Sequence, residues 1–108
     1  MTKTLCIVLA PVRLKDGVDE ETFTKASDAF QRDFVARQDG ILRRMLLKGA
    51  DGDYADLVFF ASEADAARIA KLEETSAECR AFFDVMRMED AGLPELRIRS
   101  FQHIKTYE

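Results

Sequence analysis

The sequence has no tryptophan, no asparagine, one histidine, two cysteines, two prolines and five glycines. So little glycine and proline excludes a collagen-like or low-complexity chain, and 47% apolar with 33% charged residues excludes a disordered one. Cys6 and Cys79 are too few for a disulfide framework, and neither has a second Cys or a His at metal-ligand spacing. Both read as small buried apolar residues. No apolar stretch approaches the roughly 20 residues that a membrane helix needs. The 16 Lys and Arg against 20 Asp and Glu give a net charge of -4, the wrong field for a phosphate backbone, so a nucleic-acid partner is excluded. The sequence also lacks a phosphate-cradling glycine loop and a Ser-His-Asp or Cys-His order. The apolar run after Lys3 is about eight residues, short of a signal peptide, and the final Lys-Thr-Tyr-Glu carries no lipidation or retrieval pattern. A cytoplasmic protein is expected, with no membrane partner, no metal and no cofactor.

What is present suits one domain of 108 residues, with no linker or internal repeat. Thr4 to Val12 is apolar at both parities and predicts a strand covered on both faces. Asp19 is positioned as an N-cap, followed by two glutamates. Phe23, Ala26, Phe30 and Phe34 then form the stripe of a helix ending near Gly40. Ile41 to Lys48 predicts a second strand, Gly49 to Asp53 a tight hairpin, and Tyr54 to Ala61 a third strand apolar on both faces. Ser62 and Asp65 have capping-box spacing, so a helix starts directly from that strand. Thr75 and Glu78 repeat the pattern and predict a break and restart before Cys79, Phe82, Phe83 and Met86. Ala91 to Pro94 ends helical structure, and a more polar last strand is predicted from Leu96 to Tyr107.

Strand, helix, strand, strand, helix, strand is the ferredoxin-like βαββαβ plan, an α+β fold. Right-handed crossovers put both helices on one face of a four-stranded antiparallel sheet, with the first and third strands central. The other face of those strands is also apolar and needs a cover. Leaving roughly 600 Å² per protomer wet forgoes about 15 kcal/mol at 25 cal/mol/Å², comparable with the stability of a whole domain. A homodimer packed through its sheet faces is therefore expected.

Three segments carry a resemblance: Asp39-Gly-Ile-Leu, Asp56-Leu-Val-Phe-Phe-Ala-Ser-Glu-Ala-Asp-Ala66, and Cys79-Arg-Ala-Phe-Phe-Asp-Val-Met86. On them the chain resembles the antibiotic-biosynthesis-monooxygenase-like branch of the dimeric α+β barrel superfamily. The resemblance implies a dimeric barrel and, in different members, cofactor-independent oxidation of aromatic molecules, haem degradation, isomerisation or cyclisation, or no catalysis. The Trp and Asn that serve oxygenase and haem-degrading members are missing, and the family's strand-end Trp falls on Phe60. A haem-degrading member also places a ligand His in its second helix, whereas this chain has only His103, in the last strand.

His103 is the side chain whose ordinary pKa lies nearest neutrality, and it is the candidate for general acid or base work on a phenol or enolisable ketone. Its structural alternative is a strand residue at the dimer rim. Tyr54 offers a phenolic hydrogen bond, as Tyr107 would, and Asp56 lies in an apolar central strand where burial would demand a partner, most simply an Arg. Arg43 is a candidate for a substrate contact, and Phe60 belongs to a set of phenylalanines able to line an aromatic pocket or simply fill the core. The expected ligand is a small hydrophobic or aromatic molecule between sheet and helices. A non-catalytic dimeric assembly or ligand-sequestering protein is the alternative function.

Overall fold

Strand pairing follows the apolar pattern. The computed structural model describes residues 4–88 and 92–108, in which β1 (Cys6–Val12), β2 (Ile41–Lys48), β3 (Tyr54–Phe60) and β4 (Arg99–Gln102) form one antiparallel sheet in the order β2-β3-β1-β4. The two strands that are apolar at both parities are the central ones. Helices α1 (Glu20–Asp33), α2 (Glu63–Glu73) and α3 (Ala77–Phe83) pack on one face, giving the ferredoxin-like α+β architecture.

Local chemistry sets the helix starts. Asp19 accepts the Thr22 N–H at 2.8 Å, and Ser62 accepts the Asp65 N–H at 3.1 Å. The restart is capped by Ser76, which accepts the Cys79 N–H at 3.2 Å, rather than by Thr75, whose hydroxyl donates to the Leu72 carbonyl and closes α2. Helix α1 stops at Asp33, short of Gly40, because the chain tightens into a 3-10 turn at Val35–Arg37 that buries the consecutive Phe34 and Val35. Gly40 follows with φ +101°, and its carbonyl accepts the Ala61 N–H at 2.8 Å, tying the start of β2 to the end of β3.

The last strand is shorter than its alternation suggests. Pro94 withholds an N–H from any ladder, and Pro94–Leu96 is a 3-10 turn that seats Leu96 in the interior. Ladder pairing ends at Gln102, with one further bond from the His103 N–H to the Leu5 carbonyl at 2.9 Å. Ile104 and Tyr107 are 95% and 80% exposed, the Tyr107 ring lying under the Lys105 ammonium at 4.9 Å from its centroid. Of the expected helix-stopping segment, Ala91 lies outside the described residues.

The inner face of the sheet holds Cys6, Val8, Val12, Val58 and Phe60 against Phe23, Phe30, Ile69, Cys79 and Phe82. On the outer face Ile7 pairs with Phe59 and Phe101, and Leu9 with Leu57, which pairs in turn with Met45. No described element covers this face, and Met45, Leu47 and Phe101 are exposed on it.

Candidate functional site

A cavity of about 720 Å³ lies between the inner sheet face and the helices. Its walls are chiefly apolar, with Val8 from β1, Val58 and Phe60 from β3, Phe30 from α1 and Phe82 from α3. The last two rings stack with centroids 4.5 Å apart and planes 12° from parallel.

An irregularity in β2 brings charge into this wall. Ile41 pairs with Phe60 and Arg43 with Phe59, so Leu42 is the extra residue of a β-bulge. The bulge changes the phase of the strand: Ile41 and Arg44, an odd number of residues apart, both line the cavity. Arg43 is turned to the outer face and is exposed.

Arg44 meets Asp56 across the β2–β3 pair. Its Nε donates to both carboxylate oxygens, at 3.0 and 2.9 Å, and Nη2 stands 2.8 Å from Oδ2. The Nη2 contact is coulombic, since its hydrogens have no acceptor in hydrogen-bonding geometry. The two side chains are 6% and 9% exposed, and the guanidinium lies 4.9 and 5.1 Å from the centroids of Phe30 and Phe82. Burial pushes the Asp56 carboxyl above its ordinary value, against the opposing pull of Arg44.

Glu73, the last residue of α2, completes the polar group. It lies one turn beyond the fully buried Ile69, at i+4, which points it back into the cavity. Burial, and then the negative charge of Asp56, push its carboxyl up to about 7, with Arg44 partly offsetting them. The negative end of α2 acts in the same direction as that burial. Among the described residues Glu73 has no hydrogen-bond or ion-pair partner. A carboxyl in this state can hold or release a proton at neutral pH.

The five residues singled out from sequence are thus divided. Asp56 and Phe60 line the cavity. Tyr54 is on the inner face but at its far end, where its hydroxyl donates to Glu20 Oε1 at 3.0 Å and its ring packs 5.1 Å from Phe23. Burial, and that bond, raise its phenol. Arg43 and His103 lie outside the cavity lining, and His103 pairs with Thr106 Oγ1 at 2.7 Å. The arginine expected beside Asp56 is Arg44, one of two adjacent candidates, whereas Glu73 was not singled out. The bulge hides which of two adjacent arginines turns inward, and Glu73 sits in the charged run Lys71-Leu-Glu-Glu74, where its spacing from Ile69 was the available signal. Among the described residues no group of three His, Cys, Asp or Glu side chains is arranged to hold a metal ion. No described helix is long and apolar enough to cross a membrane.

No family model and no curated protein matches the chain. Solved structures do. A candidate antibiotic biosynthesis monooxygenase from Caulobacter crescentus is similar at a TM-score of 0.67 and 17% identity, over 96% of this chain and 93% of that one. SnoaB, a cofactor-independent oxygenase from Streptomyces nogalater, is similar at 0.62 and 15%, over 95% and 93%. The hydroxynitrile lyase of Passiflora edulis is similar at 0.58 and 12%, over the whole of both chains. At these identities the likeness is one of fold: the chain has the fold of the antibiotic-biosynthesis-monooxygenase-like proteins, as its sequence resemblance implied.

Proposed function

We propose that this chain is a small-molecule-binding protein that takes a hydrophobic or aromatic ligand into the cavity between sheet and helices, works as a homodimer through its outer sheet face, and resides in the cytoplasm. The cavity carries the reading: about 720 Å³ of mostly apolar space with Arg44, Asp56 and Glu73 in its wall. Drug-sized ligands occupy roughly 300–1,000 Å³ of such space, oriented by a few polar groups. A plain core would have been filled, and would not hold an ion pair and an unpartnered carboxyl beside empty volume.

The outer face supports the dimer. Ile7, Leu9, Leu57 and Phe59 are partly accessible on it, and the exposed Ile104 and Tyr107 extend beyond β4. Two unpaired, buried thiols suit a reducing compartment. The fold neighbours include an oxygenase that needs no cofactor, which supports turnover of the oxygenase kind, with isomerase or cyclase chemistry as the alternative that the sequence resemblance implies.

Native mass spectrometry of the fresh protein tests both parts, together with uptake of the neutral fluorophore N-phenyl-1-naphthylamine. The expected result is a dimer that binds the fluorophore, and a Val58→Trp variant, its cavity filled, that remains a dimer but does not. A monomer overturns the assembly. A dimer that takes up no fluorophore, or takes it up equally in the filled variant, overturns the binding site.

A further inference from the structure

Glu73 lines two cavities. The first is the apolar one described above; the second, of about 590 Å³, opens beside it and carries Lys15, Glu74, Arg80 and Asp84. Ala70, Phe83, Met86, Met88 and Ile98 share the wall with Glu73. Its carboxyl thus stands between a greasy compartment and a charged, more open one. Asp56 from β3, Arg44 from β2 and the Cys79 thiol from α3 interact with it electrostatically, and Arg13, Glu63 and Arg87 also line the first cavity.

The charges in the first cavity narrow the ligand. A cationic ligand would find the Phe30 and Phe82 faces already taken by the Arg44 guanidinium, at 4.9 and 5.1 Å. An anionic one would meet three carboxyls, Asp56, Glu63 and Glu73, against three arginines, Arg13, Arg44 and Arg87, that are each already held by a carboxylate. A neutral ligand meets neither objection. If it carries an acidic proton, transfer to the Glu73 carboxylate moves one negative charge from protein to ligand and leaves the total charge of the cavity unchanged. No new charge has to be desolvated.

We propose that Glu73 is an acid–base catalytic residue of this cavity, exchanging a proton with a neutral aromatic carbonyl compound that has an enolisable C–H. The inference rests on the cavity being the ligand site. In the step, a Glu73 oxygen lone pair forms the new O–H bond. The C–H bonding pair becomes a C=C bond, and the carbonyl π pair moves onto oxygen to give an enolate. Returning the proton to carbon restores the ketone, and returning it to oxygen gives the enol. Nothing is oxidised or reduced. The second cavity connects Glu73 to solvent, so a proton taken from the ligand exchanges with water before it is returned.

The probe is 2-tetralone in D₂O with the full chain, loss of the α-proton signals being followed by NMR between about pH 5 and 9. Binding is read in the same samples from ligand line broadening and its displacement by N-phenyl-1-naphthylamine. The expected result is exchange faster than in buffer, rising with pH through a midpoint near the Glu73 value of about 7 and then level. Glu73→Gln is expected to bind the ketone but exchange it about 100-fold more slowly, with partial recovery in Glu73→Asp. Unchanged exchange in Glu73→Gln, or a ketone that binds the native protein without faster exchange, overturns the assignment of Glu73 while leaving the binding site standing. A ketone that does not bind while the fluorophore still does overturns the role of Glu73 and leaves the binding site standing, and failure of both to bind removes the binding site and the role of Glu73 with it.

Discussion

Replacing Glu73 by Gln should stabilise the protein at alkaline pH and scarcely change it in mild acid. The Glu73 carboxyl is raised from 4.5 to about 7 by burial and by Asp56. A raised acid binds its proton more tightly folded than unfolded. Its favourable contribution is therefore complete below about pH 4.5, declines as pH rises, and is gone above about pH 7. At about 1.4 kcal/mol per pH unit that interval corresponds to about 3 kcal/mol, which partial access of water reduces to about 2 kcal/mol. Gln keeps the size of the side chain and removes the titration. Urea unfolding by circular dichroism, at one protein concentration and at pH 5, 6, 7 and 8, gives the two stability curves. The native curve should fall relative to the variant across this range, until the variant is ahead by about 2 kcal/mol at pH 8. Parallel curves, or a native protein more stable than the variant at pH 8, would refute the environment assigned to Glu73.

Removing one half of the buried pair should be costly: Asp56→Ala strands the Arg44 charge and should lose about 3–5 kcal/mol in chemical unfolding, whereas the Arg44→Met, Asp56→Leu double variant should lose far less. Gly40→Ala forces an L side chain to a φ of +101° with its Cβ 2.8 Å from Asp65 Cγ, so a loss of at least about 2 kcal/mol is expected, measured the same way. Leu57→Lys puts a charge at the centre of the outer sheet face, and sedimentation velocity should show monomer where the native protein shows dimer, with the cavity's fluorophore uptake retained.

Most of the fold was legible because burial and local hydrogen bonding leave periodic marks. Phe23 and Phe30 of α1 are buried, as is Phe34 just past its end, and Asp19 and Ser62 cap the helices expected of them. Thr75 and Ser76 could not be told apart, since adjacent hydroxyls both suit a helix boundary and backbone geometry alone chooses between them. The length of β4 was overread because alternation persists to Tyr107 although ladder pairing ends at Gln102. The cavity was less legible than the fold. Asp56 was recognisable as an ionisable group in an apolar strand, but Arg44 depends on a bulge, which has no sequence period. Glu73 resembled a solvated residue among charged neighbours, and its environment depends on groups distant in sequence.

The bulge at Leu42 also bears on how this site can change over evolution. Register on the two sides of it is held independently, by Ile41 against Phe60 and by Arg43 and Arg44 against Phe59 and Val58. A lineage that deleted Leu42 would straighten β2 and keep both Ile41 and Arg44 facing inward, with one residue fewer between them. Residue spacing along this strand is therefore free to drift while the cavity keeps its arginine. What selection on the site can see is the pairing of β2 with β3, so relatives with the same charged wall need not share the same count of residues leading to it.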